Sequence, residues 1–195
     1  MPNNRFSAVQ LTLLSVIVAL ILENLLNQFA NQGVGWTGIL PWLQSAVVAL
    51  TVIAVWSGFA LILTSSERKP EPVDFIYPFG LLITLTLAAN SLGEAQLARF
   101  FMFLSLGGIF ACWALRAEFL TLPAESDQAF GVRRAFYIQA TDCILCLLMS
   151  LMLFAFSLPL AVTLVALGSA VIIQAIAAQG TMRGWRAVSA ATQTN

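Results

Sequence analysis

Asp142 is the one acid set well inside a long apolar run, RRAFYIQATDCILCLLMSLMLFAFS, over residues 133–157. On a helix at 100° per residue, Gln139, Asp142, Cys146, Ser150 and Ser157 share one narrow stripe, and Leu, Ile, Phe and Met fill the other faces. An ionisable group at membrane depth costs roughly 2.5–3.5 kcal/mol on insertion scales, so this stripe has to face protein or water and not lipid. Two further groups interrupt apolar runs: Glu23, Asn24 and Asn27 near the end of the first, and Asn90 and Glu94 at the end of the third. Thr86, Asn90 and Glu94 follow one another at i, i+4 and i+8, which on a continuous helix is one face.

Carboxylate and amide oxygens replace part of a cation's hydration shell, and permeation routes are built from them. Asp142, Gln139, Glu23, Asn24, Asn27, Asn90 and Glu94 are therefore the candidate lining of a cation pathway. Structural roles stand beside that one. Glu23 and Glu94 lie near enough to an interface to reach headgroup water, and Arg99 is placed to neutralise Glu94. Asp142 would pair with Arg116 or an arginine from the helix ends, or stay protonated. Gln139 and Asn90 need do no more than hold helices together, at about 0.6 kcal/mol per hydrogen bond.

Other chemistry is missing from the sequence. Histidine is absent, which removes b-type haem ligation, His-based zinc sites and Ser–His or Cys–His nucleophile pairs. No GxxxxGK[ST], GxGxxG after a strand, HExxH or GxSxG occurs. Cys143 and Cys146 form a CxxC, but mid-segment in ATDCILCLL they read, like Cys112, as small buried residues. Glu118, Glu125 and Asp127 lie among Arg116, Arg133 and Arg134 in what reads as a solvated, mixed-charge loop. No enzymatic activity, cofactor or metal site is expected.

The elements that must position these residues follow from composition. Of 195 residues 59% are hydrophobic and only 9% charged, where a soluble domain carries about 25% charged residues. A net charge of zero leaves no basic surface for nucleic acid. Apolar runs over about 8–29, 43–63, 75–92, 97–120, 135–156 and 160–178 each reach or approach the roughly 20 residues needed to cross the hydrocarbon core. The prediction is an all-α polytopic membrane protein with six transmembrane helices in three hairpins. Residues 1–7 form a short N-terminus, 8–180 the transmembrane domain and 181–195 a polar tail, mobile beyond Trp185. The first run is long and lacks a clean cleavage site, so it reads as a spanning helix and not a signal peptide. Trp36 and Trp42, in an uncharged connector, suit a headgroup interface. Gly107 and Gly108, with Gly107 four residues before Ala111, permit close helix approach.

Positive charge then orients the bundle. With six spans, Arg5, Arg68, Lys69, Arg116, Arg133, Arg134, Arg183 and Arg186 fall on one side and only Arg99 opposite. That bias places both termini in the cytoplasm, as in proteins of the bacterial inner membrane. Glu23, Asn24, Asn27, Asn90 and Glu94 then lie towards the outside, and Asp142 roughly 10 Å in from the cytoplasmic end of its helix.

This layout resembles that of the six-helix potassium channels of endolysosomes and bacteria. The likeness rests on the six spans with cytoplasmic termini, the serine-bearing first segment RFSAVQLTLLSVIVALILE, the basic entry to segment five, and LMLFAFSLPLAV, similar to that family's serine-proline turn. The family's signature on helix one is Arg, three residues, then Phe-Ser-Asp. Here Arg5, Phe6 and Ser7 are adjacent, Ala8 stands for the aspartate, and the histidines expected after helix two are missing. The resemblance implies a pore lined by apolar residues of segment one, such as Leu13, Leu14 and Ile17, in a dimer or tetramer.

Two functions remain from these observations. The first is a channel or small transporter for a cation or small solute, active in ion transport as a homo-oligomer within the lipid bilayer. The second is an accessory or assembly subunit that meets a membrane-protein partner. A channel requires the polar stripes of segments one, three and five to converge on a continuous cavity. A subunit requires them to be closed by internal pairs.

Overall fold

The structure, a computed structural model, describes residues 3–32, 38–65, 73–119, 127–156 and 158–193. Among these the chain is all-helical: α1 (Asn3–Gln32), α2 (Ile39–Ser65), α3 (Val73–Ala89), α4 (Leu97–Phe119), α5 (Asp127–Ala155) and α6 (Leu160–Gln193), with a 3-10 turn at Glu94–Gln96 before α4. Five of the helices are long and apolar enough to cross a membrane. The exception is α3, whose apolar part is Ile76–Ala89 and whose 17 residues rise about 25 Å. Trp36, Arg68, Lys69, Glu125 and Ser157 lie outside the described residues.

The helices are mostly longer than their apolar runs, because a helix needs backbone hydrogen bonds and tolerates polar side chains at its ends. α5 begins at Asp127, eight residues before the apolar run, and carries the exposed Arg133 and Arg134 ahead of it. α6 continues to Gln193, so most of the predicted polar tail is helix. α2 starts at Ile39 with Pro41 in its first turn, where no intrahelical donor is lost. α3 does the opposite and ends early, at Ala89. Asn90 N–H and Ser91 N–H close the last turn on Thr86 and Ala88 carbonyls, at 3.0 and 2.9 Å. Gly93 then takes φ +102°, a conformation costly for any residue with a Cβ, and redirects the chain into the 3-10 turn.

Direction can be read from facing residues. Along α4 and α5, Ala98 meets Ser150 while Ser105 meets Cys143. Along α3 and α4, Tyr77 meets Trp113 while Thr84 faces Gly107. Along α5 and α6, Leu153 shares a cleft with Thr163 while Asp142 meets Gln174. All three pairs are antiparallel. α1 runs parallel to α3, with Leu14 near Leu82 and Asn24 at Asn90. The start of α2 meets the turn that follows α3, through Gln44. Successive helices therefore alternate in direction, so α1 begins and α6 ends on the same side of the bundle.

Three glycines set the closest approaches. A Cβ on Gly108 would lie 2.8 Å from Cys143 Cβ and 3.3 Å from its Cα, so α5 rests on α4 almost backbone to backbone. Gly107 admits Thr84 of α3, and Gly80 of α3 admits the Phe110 ring of α4. The core around them is Phe100, Phe101 and Leu104 of α4, Leu82 and Leu85 of α3, Val48 and Val52 of α2, and Leu167 of α6. The outer surface is apolar as well. Leu26, Ile83, Leu148, Phe154 and Val165 stand exposed on four different helices, an arrangement that suits lipid and not water as solvent.

Candidate functional site

α5 is fixed against α4 by one of its faces. Cys143 Sγ donates to the Ser105 carbonyl at 3.3 Å, and Ser150 Oγ donates to the Ala98 carbonyl at 2.9 Å. Asp142, one residue before Cys143, is turned by 100° from that contact and reaches α6. Its Oδ2 accepts a 2.7 Å hydrogen bond from Gln174 Nε2. Both partners are buried, Asp142 at 6% exposure and Gln174 at 3%. Cys146, a turn further along α5, is buried beside them. α6 presents Gln174 because Thr163, Leu167, Ala170, Gln174 and Ala178 recur at three- and four-residue spacing and form its buried face.

Of the alternatives for Asp142, the bond the structure shows is to an amide and not to Arg116. Arg116 stays exposed at the end of α4, and Gln174 is the hydrogen-bond partner of the carboxylate. Gln139 shares the stripe but is half-buried and takes no part in the Asp142–Gln174 bond.

A second polar cluster lies between α1 and the end of α3. Asn24 Nδ2 donates to Asn90 Oδ1 at 2.8 Å, and Gln28 Nε2 approaches the same oxygen at 3.5 Å. Glu23 and Asn27 are exposed, because Leu14, Ile21 and Leu25 define the buried side of α1 and these two residues point away from it. Glu94 departs from its expected place. The break at Asn90–Gly93 puts it on the 3-10 turn and not on a continuation of α3, so Asn90 and Glu94 do not share a helical face. Nor does Arg99 neutralise it; Arg99 Nη1 donates instead to Gln96 Oε1 at 3.3 Å.

Of the seven candidate residues, Asp142, the Asn24–Asn90 pair and Glu94 occupy three separate places, and Gln139, Glu23 and Asn27 take part in none of the bonds just described. Two cavities among the described residues bear on a pathway. One, of about 350 Å³, lies between Glu94, the end of α5 and the start of α6. The other, of about 10 Å³, is lined by Leu13, Leu14 and Ile17 against Pro78, Phe79 and Leu82. The latter barely holds one water. Neither is lined by Asp142, Gln139, Asn24 or Asn90.

Several polar contacts had no counterpart among the sequence candidates. Gln44 Oε1 accepts from Gly93 N–H at 2.7 Å, and its Nε2 approaches the Ser91 carbonyl at 3.5 Å, so this buried amide of α2 caps the α3–α4 turn. Trp56 Nε1 donates to Ser15 Oγ at 3.0 Å across α1 and α2. Gln174 carried a usable signal: it is the only amide between Leu160 and Ala178, in a segment otherwise made of apolar and small residues.

Fold and polar contacts together define a class: an all-helical bundle with five helices of membrane-spanning length, an apolar exterior, and interhelical polar bonds inside. No protein-family model, curated protein or solved structure matches the chain.

Proposed function

We propose that this chain is a non-enzymatic integral membrane protein that crosses the bilayer six times, with both termini cytoplasmic, and serves as an accessory or assembly subunit of a larger membrane complex. One observation carries the reading: polar side chains that join the helices are bonded within the chain. Asp142 is held by Gln174, Asn24 by Asn90, and Gln44 by the α3–α4 turn. Such bonds hold helices in register. The arginine distribution supports the orientation. The short α3 fits a bilayer that thins locally around it.

The test is made in the native membrane. After mild solubilisation the chain should migrate in an assembly that contains a second membrane protein, and deleting the chain should lower that partner's level. Migration only as monomer or homo-oligomer, with no protein lost on deletion, would rule the subunit role out.

A second reading rests on Asp142 alone. A buried carboxyl with a neutral hydrogen-bond partner is a place where a proton or cation binds in membrane transporters. A channel or small transporter for a cation or small solute, acting as a homo-oligomer related in layout to the six-helix potassium channels, would use it. Proteoliposomes loaded with potassium or sodium separate the two functions. Cation flux that Asp142→Asn alters would establish transport, whereas correctly inserted protein without flux supports the subunit role.

A further inference from the structure

A cleft of about 350 Å³ lies at the α5–α6 turn, near the lower end of the ~300–1,000 Å³ range of small-molecule sites. Three features converge on it. Glu94 contributes an exposed carboxylate with no ion-pair partner among the described residues. Leu153, Phe154 and Ala155 line it with the last turn of α5, where a helix leaves carbonyls without intrahelical donors and carries partial negative charge. Among the described residues, the Met152 carbonyl of that turn is taken by Phe156 N–H at 2.8 Å.

The opposite wall has the opposite polarity. α6 begins there at Leu160. Of its first amides, those of Val162 and Thr163 turn back to the Pro159 carbonyl at 3.0 and 3.4 Å, and those of Leu160 and Ala161 have no acceptor among the described residues. Thr163 lines the same cleft at 1% exposure, and its hydroxyl makes no hydrogen bond among the described residues. Phe154, Phe156 and Leu160 form an exposed apolar rim.

We propose that this cleft binds the headgroup of an aminophospholipid. The ammonium lies against Glu94 and the α5 carbonyls. The phosphate lies against the α6 amides and the Thr163 hydroxyl, and the acyl chains pass over the apolar rim. A cationic solute would satisfy only the first wall and a phosphate only the second; a zwitterion with a small donor ammonium satisfies both. The site rests on the reading of this chain as a membrane protein and is independent of whether it is a subunit or a transporter.

The experiment uses the purified full-length protein in mild detergent. Phosphatidylethanolamine, phosphatidylcholine and phosphatidylglycerol with matched acyl chains are titrated in, and bound lipid is counted by native mass spectrometry. Phosphatidylethanolamine should be retained about tenfold better than phosphatidylglycerol, the effect of one charge-assisted bond. Phosphatidylcholine, whose quaternary ammonium donates no hydrogen bond, should rank below phosphatidylethanolamine. Glu94→Gln should erase the preference over phosphatidylglycerol, and Thr163→Val, which preserves side-chain volume, should weaken retention of all three. Circular dichroism verifies that both variants fold. Equal retention of the three lipids, or a preference that Glu94→Gln leaves intact, overturns the proposal. So does free phosphoethanolamine bound as tightly as the lipid, which would make the ligand a soluble amine. These outcomes are read on isolated protein, whereas failure of the subunit role is read from partner levels in membranes.

Discussion

α5 has two neighbours and meets them by opposite means. Against α4 it is packed along its length, with Gly108 under Cys143 and hydroxyl or thiol donors aimed at the α4 backbone. Against α6 it touches sparingly, and the buried Asp142–Gln174 bond is the specific link. The first interface is a shape fit, in which small residues let backbones approach and dispersion accumulates. The second is a latch, in which one short hydrogen bond fixes the relative height of two helices that otherwise share little surface. A shape fit is sensitive to volume and indifferent to charge. A latch is the reverse.

The comparison is broken most severely at Gly108. Gly108→Val places a Cβ on Cys143 backbone and Cβ atoms that have no room to move, and should cost about 3 kcal/mol. Thermal or denaturant unfolding in detergent measures it, and a wild-type midpoint would mean that α4 and α5 are not in backbone contact. Gln174→Leu is next. It leaves the Asp142 carboxyl buried without a partner, for a loss of about 1–3 kcal/mol. The double variant Asp142→Leu/Gln174→Leu should recover most of that loss, and a double variant worse than the single would show that the pair does not act as one unit. Gly80→Ala tests the shape fit where the neighbour is a ring tip and not backbone. Phe110 can shift, so about 1 kcal/mol is expected, clearly below the effect at Gly108. Asn90→Ala removes the weaker polar tie to Asn24 and Gln28 and should cost about 0.6 kcal/mol. A loss equal to that of Gln174→Leu would erase the distinction between the tie and the latch.

The sequence made the helices legible because their signal is local. Apolar runs and the Gly107-Gly108 pair forecast the segments and one close approach, and both appear in the fold. The stripe through Asp142 correctly forecast a protein-facing acid. What it did not contain was the neighbour. Gln174 sits nine residues from Arg183 and Asp142 eight from Arg134, so the two share a depth, but depth does not say which helices stand side by side. Boundaries failed where periodicity and backbone disagree. The spacing of Thr86, Asn90 and Glu94 continues the period of α3, yet Gly93 at positive φ ends that geometry before Glu94 is reached. The tail reads as polar and mobile beyond Trp185, and its backbone is helical: Ala- and Arg-bearing sequence after Gly180 sustains α6 to Gln193.

The bond between Gln44 and Gly93 has a consequence for biogenesis. Its partners lie 49 residues apart, so the ribosome delivers Gln44 well before the turn that satisfies it exists. During that interval α2 carries an unpaired amide, a mark by which membrane quality control can tell a chain halted before the α3–α4 hairpin from a finished one. Pulse-chase of chains truncated just before and just after Gly93 should show the shorter one degraded faster, and Gln44→Leu should narrow that gap in lifetime.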